Sequence, residues 1–228
     1  MSAVFESRRS DSPYIEIIWR GHVEQDYSPV CPADSHWNLL FVRRGSQIRV
    51  TAEGATTQFV PKDQFAGSEF LVIKFAYGVF MPYLPPDNLV NVDAVLPEAT
   101  GNAFWLHGSV WQLPDFDNVE TFVDRMVREG LLVHDPVVPA VLQDQSPDVS
   151  FRTVRRRFLR ATGLTHGAIR QIERAQQAAT LLEQGAPILD AVYEVGYADQ
   201  PHLTRSLKRF YGLTPAQIVR PPQAMSAS

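Results

Sequence analysis

One cysteine, Cys31, stands among 228 residues. A lone thiol excludes an intrachain disulfide framework and any zinc site built from cysteines. With no histidine partner close by in sequence, it reads as structural or incidental, a redox sensor being the sharper alternative. Histidine is scarce too, at six residues, and His22, His36 and His107 are isolated rather than grouped as His-x-His with a following Glu. Each reads as an ordinary surface or core side chain, and neither a metal nor another cofactor is expected. No apolar run approaches the roughly 18 residues of a membrane span. The first residues, MSAVFESRRSDSPY, lack the apolar centre of a secretory signal. A soluble, cytoplasmic protein with no membrane partner is the expectation.

What is present is globular: 45% of residues are hydrophobic and 20% charged, enough for one large domain or two ordinary ones. The net charge of −4 conceals a division. Residues 1–149 carry 10 Lys and Arg against 20 Asp and Glu, whereas residues 150–228 carry 11 against 5. An acidic front and a basic back argue for two domains, the second facing something anionic, although many solvated helix faces are as charged.

The front reads as short strands. Tyr14–Trp19, Trp37–Val42, Gln47–Val50 and Phe70–Phe75 are rich in β-branched and aromatic residues and are separated by Ser28-Pro29, Arg44-Gly45, Glu53-Gly54 and Ala66-Gly67. An antiparallel sandwich or small barrel is expected. From Asp117 the period becomes helical, with Val119, Phe122, Val123, Met126, Val127 and Leu131 on one stripe, Asp117 or Asn118 placed to cap, and Gly130 near the end. This helix either packs on its own domain or forms a dimer contact.

Beyond Asp135 only helices are expected. Asp135-Pro136 opens a short segment through Leu142, which Pro139 should shorten or kink. Ser150 caps a helix over Phe151–Arg160 with Val154 and Phe158 inward. A long helix over Ile169–Gln184 ends at Gly185. Pro187 starts a helix over Ile188–Val195, Gly196-Tyr197 turns the chain, and Gln200–Tyr211 forms the next helix. Two stretches nearly repeat: Arg157-Phe158, then Gly163-Leu164-Thr165, and Arg209-Phe210, then Gly212-Leu213-Thr214. Their phenylalanines read as core anchors, their glycines as turns, and Ile169 and Ile218 as the residues that tie each unit off.

The helices around Gly196 form a helix-turn-helix. With Leu203, Leu207 and Phe210 inward, Gln200, His202, Arg205 and Lys208 face outward, able to reach base edges or phosphates. In the earlier helix Arg152, Arg155 and Arg156 face outward. Four arginines between 152 and 157 repel one another at helical spacing, which makes sense against an anion.

Residues 135–220 resemble the DNA-binding domain of the AraC family of transcription regulators. The matching residues are Ser150-x-Arg-x-Val-x-Arg156-x-Phe158, Gly163-Leu164-Thr165, Arg174 with Ala178 and Leu181-Leu182, Ile188-x-x-Ala-Val-x-x-Val-Gly196-Tyr197, Asp199-Gln200-x-His202-Leu203-x-Arg205, and Gly212-Leu-Thr-Pro215. The resemblance implies two helix-turn-helix units joined by one long helix. It puts Arg152, Arg155, Arg156, Gln200, His202 and Arg205 at bases and Thr204, Lys208 and Arg209 toward phosphate, and Thr153 and Arg160 are counted with the DNA-binding set. Val192 departs from the alanine usual at the helix crossing, and Pro201 removes one polar reader. A linker of about 16 residues spans roughly 24 Å, so both units could lie near the roughly 34 Å repeat of two successive major grooves of double-stranded DNA.

The expected class is α+β, with an antiparallel β-rich, cupin-like domain (residues 1–115), a helical connector (116–134) and an all-α double helix-turn-helix domain (135–228). The resemblance admits a small-molecule effector or a homodimer acting through the front domain. The front aromatics, among them Trp37, Phe75, Tyr77 and Trp105, read either as core or as the lining of a ligand pocket. The expected function is a sequence-specific transcription regulator with no catalytic residue. The alternatives are an adaptor whose helical domain no longer binds DNA, and an enzyme fused to a DNA reader, which in this family's repair members requires several cysteines.

Overall fold

The computed structural model describes residues 2–98 and 102–220. Their strands are β1 (Ala3–Arg8), β2 (Ile15–Val23), β3 (Val30–Cys31), β4 (Asn38–Arg44), β5 (Gln47–Glu53), β6 (Val60–Pro61), β7 (Ser68–Phe75), β8 (Val79–Phe80), β9 (Asp93–Leu96), β10 (Ala103–Leu106), β11 (Ser109–Gln112) and β12 (Val133–His134). Six of them form one antiparallel sheet in the order β1-β2-β7-β4-β5-β9, and the other six pair as two-stranded ribbons. The front is therefore antiparallel and β-rich, as the strand spacing suggests. A two-residue connection, Gly45-Ser46, joins β4 to β5 and is flanked by the Arg44–Gln47 pair. Gly45 has φ +60 there, a left-handed conformation that two-residue hairpins favour.

Helix α1 (Val119–Arg128) closes this sheet. Its buried stripe is Val119, Phe122, Val123 and Met126, and these join Ile18, Leu39, Phe41, Ile73 and Trp111 in one core. The helix packs on its own half, which is the plainer of the two readings its periodicity allows. Arg8 ties the first strand to it, donating to Glu120 Oε2 at 2.8 Å and to the Phe116 carbonyl at 2.6 Å.

The back half is helical: α2 (Val137–Leu142), α3 (Phe151–Thr162), α4 (His166–Glu183), α5 (Ile188–Glu194), α6 (Gln200–Tyr211) and α7 (Pro215–Val219). Helix α2 is only six residues long and carries Pro139 in its first turn, where a proline is tolerated. The linker α4 starts three residues earlier than the sequence suggests, because Thr165 caps it by accepting from the Ala168 amide. Ile169, Ile172, Ala175, Ala178, Ala179 and Leu182 form its buried face. The small alanines let α5 and α6 approach it. Residues 221–228 of the expected helical domain lie outside the described residues.

The second core is shared between the halves. Ala33, Ala55 and Phe80 of the front are buried with Phe158, Ile169, Leu203 and Phe210 of the back. Main-chain bonds cross the same seam, from the Ala33 amide to the Phe210 carbonyl at 2.7 Å and from the Phe59 amide to the Arg209 carbonyl at 3.2 Å. Tyr77 Oη donates to Glu173 Oε1 on α4 at 2.9 Å and shares a 2.5 Å bond with Ser35 Oγ. Burial pushes the Tyr77 phenol well above its ordinary range, and the nearby Glu173 carboxylate adds to the shift, so Tyr77 stays a hydrogen-bond donor at this seam.

Candidate nucleic-acid interface

Two helices carry the candidate site, and local chemistry sets the ends of both. For α3, Ser150 Oγ accepts from the Thr153 amide at 3.3 Å, and Gly163 closes the helix at φ +73. For α6, Asp199 Oδ1 accepts from the His202 amide at 2.6 Å, and Gly212 closes it at φ +72. Pro201 lies in the first turn of α6, where a missing amide hydrogen costs nothing. The near-repeat in the sequence thus marks equivalent helix ends. Ile169 and Ile218 are both buried beyond them.

Burial separates anchors from outward side chains. Phe158 in α3, and Leu203, Leu207 and Phe210 in α6, are buried, whereas Val154 is only half-buried. Arg152, Arg155, Arg156 and Arg160 are exposed and Thr153 is half-buried. On α6, Gln200, His202, Arg205, Lys208 and Arg209 are exposed and Thr204 is half-buried. Arg152, Thr153, Arg155 and Arg156 line one shallow hollow of about 470 Å³. Arg160 shares a neighbouring hollow with Arg156, Arg157 and Asp135, and its guanidinium lies 5.6 Å from the Phe80 ring centre. Thr204 Oγ1 donates back to the Gln200 carbonyl at 2.9 Å.

The pairing of the arginines is informative. In the front, Arg8 meets Glu120 and Arg20 meets Glu6, both at 2.5 Å, and Arg125 meets Glu129 at 2.8 Å. On α3 only Arg157 has an acidic partner, Asp135, at 2.7 Å. Among the described residues, Arg152, Arg155, Arg156, Arg205 and Lys208 make no ion pair. Guanidinium groups massed on one helix without counter-charges create a positive potential that suits a polyanion.

The four front aromatics do not gather into one pocket lining. Trp37 and Phe75 stack at 4.1 Å inside the core, and the Trp37 indole donates to the Val79 carbonyl at 2.6 Å. Tyr77 belongs to the seam with α4. Trp105 is 44% exposed on the β10–β11 ribbon. Sequence reasoning missed the concavity that the sheet does form, about 670 Å³ with Arg20, Phe41, Arg43, Leu113 and Phe116 in its lining. Its residues come from strands that pair over long range, and no local motif marks them. Among the described residues no group of three His, Cys, Asp or Glu is placed to hold a metal ion, and no helix is long and apolar enough to cross a membrane.

Two short helix pairs, α2–α3 and α5–α6, joined by a single long helix, make a double helix-turn-helix domain. The family model described as a helix-turn-helix domain matches residues 148–220. The chain is similar to the HTH-type transcriptional regulator RipA of Corynebacterium glutamicum, 34% identical over 88 residues, which is 38% of this chain and 27% of that protein. The chain thus matches only about a quarter of that relative's length. A solved structure of ToxT from Vibrio cholerae is similar at 10% identity with a TM-score of 0.42, covering 96% of this chain and 98% of that one. An apo ToxT variant gives 8% identity and a TM-score of 0.39, covering 96% and 97%.

Proposed function

We propose that this chain is a sequence-specific DNA-binding transcription regulator, controlled by a small molecule or by homodimerisation through its front domain. The observation that carries this reading is the row of unpaired guanidinium groups on α3 together with the outward polar row on α6, each anchored by a buried phenylalanine. On this reading Arg152, Arg155, Arg156, Gln200, His202 and Arg205 contact base edges, because arginine can grip guanine bidentately and glutamine adenine. Thr153, Arg160, Thr204, Lys208 and Arg209 lie toward phosphates. The 18 residues of α4 span roughly 27 Å, and the offset of each unit brings the pair near the roughly 34 Å repeat of one DNA turn. No residue is given a catalytic role.

The proposed division keeps residues 1–115 as the sensing or assembly domain, 116–134 as the connector and 135–228 as the reader. Within the front, the sheet concavity beside Arg20 and Arg43 is the place for a small molecule, rather than the dispersed aromatics.

The test is a mobility-shift titration on duplexes selected from a random pool, repeated over a salt series and with candidate effectors. Specific binding is expected, with a log–log salt slope of roughly −0.9 per phosphate neutralised. Binding that is absent, or indifferent to salt, overturns the proposal. Footprint length reports whether one chain or two occupy the site.

A further inference from the structure

The linker helix carries cations that no helix-turn-helix reading uses. His166, Arg170 and Arg174 recur every four residues and so form one stripe along α4. They line a hollow of about 470 Å³ whose opposite wall is His202, Arg205 and Arg209 of α6. Among the described residues, no carboxylate lines this hollow. Its walls are held in place by aromatic and polar contacts. The Arg174 guanidinium lies 5.6 Å from the Tyr197 ring centre and that of Arg209 lies 4.9 Å from the Phe210 ring centre. The His166 ring meets Phe158 of α3 edge-on at 5.8 Å. Arg170 Nε donates to His166 Nε2 at 2.9 Å, and its Nη2 pairs with Asp144 in the segment between α2 and α3. The hollow therefore touches both helix-turn-helix units.

We propose that this hollow is a phosphate-binding waist, in which Arg170 and Arg174 of the linker helix grip the DNA backbone that crosses between the two major-groove contacts. This inference rests on the proposed DNA-binding function. When two readers occupy successive major grooves on one face of a duplex, the part of the duplex between them presents a minor groove edged by phosphates. Four guanidinium groups facing one concavity repel one another until an anion enters, and each can donate two parallel hydrogen bonds to a phosphate. Such contacts carry no sequence information, and they fix the register of the two readers on the duplex. Asp144 competes for Arg170, since the pair holds that carboxyl below its ordinary range and raises the guanidinium.

The experiment measures binding of the full chain to a selected duplex and to a random-sequence duplex between about 50 and 200 mM salt. Arg170→Gln and Arg174→Gln should each weaken both duplexes by the same factor and make the salt slope shallower by roughly one. Arg174→Lys should keep the slope. Asp144→Asn should strengthen both duplexes, the opposite sign. Uncharged methylphosphonate linkages midway between the half-sites should weaken the wild type and leave the Arg170→Gln/Arg174→Gln variant unaffected. Thermal melting confirms that each variant is folded. Specific wild-type binding with slopes unchanged in the arginine variants overturns the waist and leaves the function standing. Absence of any specific binding by the wild type overturns both.

Discussion

Helices α3 and α6 are each 12 residues long, start at a side-chain cap and end at a left-handed glycine. They differ in what holds them. The large buried side chains of α6 are Leu203, Leu207 and Phe210, whereas α3 has Phe158, with only Ala161 and Thr162 beside it. Each fully buried Leu or Phe contributes about 1.5–3 kcal/mol, so α6 has far more apolar support. In α3 the equivalent positions hold Val154, Phe158 and Ala161, and Arg152, Arg156 and Arg160 repel at successive i, i+4 steps. The front half compensates. The Gly163 end of α3 sits on the short turn at Pro86–Asn88 and Arg160 lies over Phe80, while within the helical half Arg157 is clamped by Asp135. The helix with the higher charge density leans on its neighbours through side chains, and the helix with the larger core is tied to the front by the main-chain bonds from Ala33 and Phe59.

The same substitution at the two closing glycines should expose that difference. A Cβ on Gly163 would lie 2.6 Å from the Pro86 carbonyl oxygen, and a Cβ on Gly212 would lie 3.1 Å from the Phe59 ring. Both alanines incur the left-handed penalty of about 1–2 kcal/mol. Gly163→Ala also forces apart two backbones, so it should cost on the order of 3 kcal/mol or more. Gly212→Ala should stay near the bare penalty, because Phe59 is 37% exposed and can swing aside. Denaturant unfolding of the two variants measures the gap. Equal costs would show that the Pro86 turn yields and does not seat α3.

On DNA the ranking should favour α3. Arg156→Ala should lose about 1–3 kcal/mol of binding and relax preference at one base position. Gln200→Ala should lose about 1 kcal/mol and relax a different position, since a neutral amide makes weaker bonds than a guanidinium. Selection from randomised duplexes reads both effects. If Arg156→Ala changed neither affinity nor preference, the assignment of α3 as a reader would fall. Lys208→Ala separates positioning from reading: all duplexes should weaken alike and the salt slope should become shallower by roughly one. A change confined to one sequence would move Lys208 to a base edge.

Helix ends were legible in the sequence because their chemistry is local. Ser150, Gly163, Gly185, Gly196 and Gly212 all sit where the chain caps or turns, and α6 spans the residues its pattern indicates. The start of α4 was hidden by Gly167, a residue that suggests a break but is tolerated in a first turn capped by Thr165. Strand β1 was hidden for another reason. It is an edge strand with Val4 41% and Phe5 71% exposed, so no alternation marks it, and only its pairing with β2 defines it. The seam between the halves depends on main-chain bonds from Ala33 and Phe59, which any residue could make and no sequence pattern reports. Aromatic composition could not separate core from pocket, and Trp37 and Phe75 proved to be core. The charge split, by contrast, already pointed to the helices that carry the unpaired arginines.

The smallest expected difference lies at the caps. Ser150→Ala removes a neutral 3.3 Å acceptor from α3 and should cost about 0.5 kcal/mol, the weak end of the capping range. Asp199→Ala removes a charged 2.6 Å acceptor from α6 together with its interaction with the helix dipole, and should cost about 1 kcal/mol. The two should then diverge on DNA. Asp199 places a negative charge at the N-terminus of a reader, where it opposes phosphate. Asp199→Ala should therefore lower the melting temperature while strengthening binding to a random-sequence duplex at low salt, an advantage that screening removes as salt rises. Ser150→Ala should lower stability with no such gain. A melting series read beside a salt titration checks both signs at once. If Asp199→Ala weakened random-sequence binding at every salt concentration, the N-terminus of α6 would not face the backbone, and the orientation assigned to the second reader would have to be reversed.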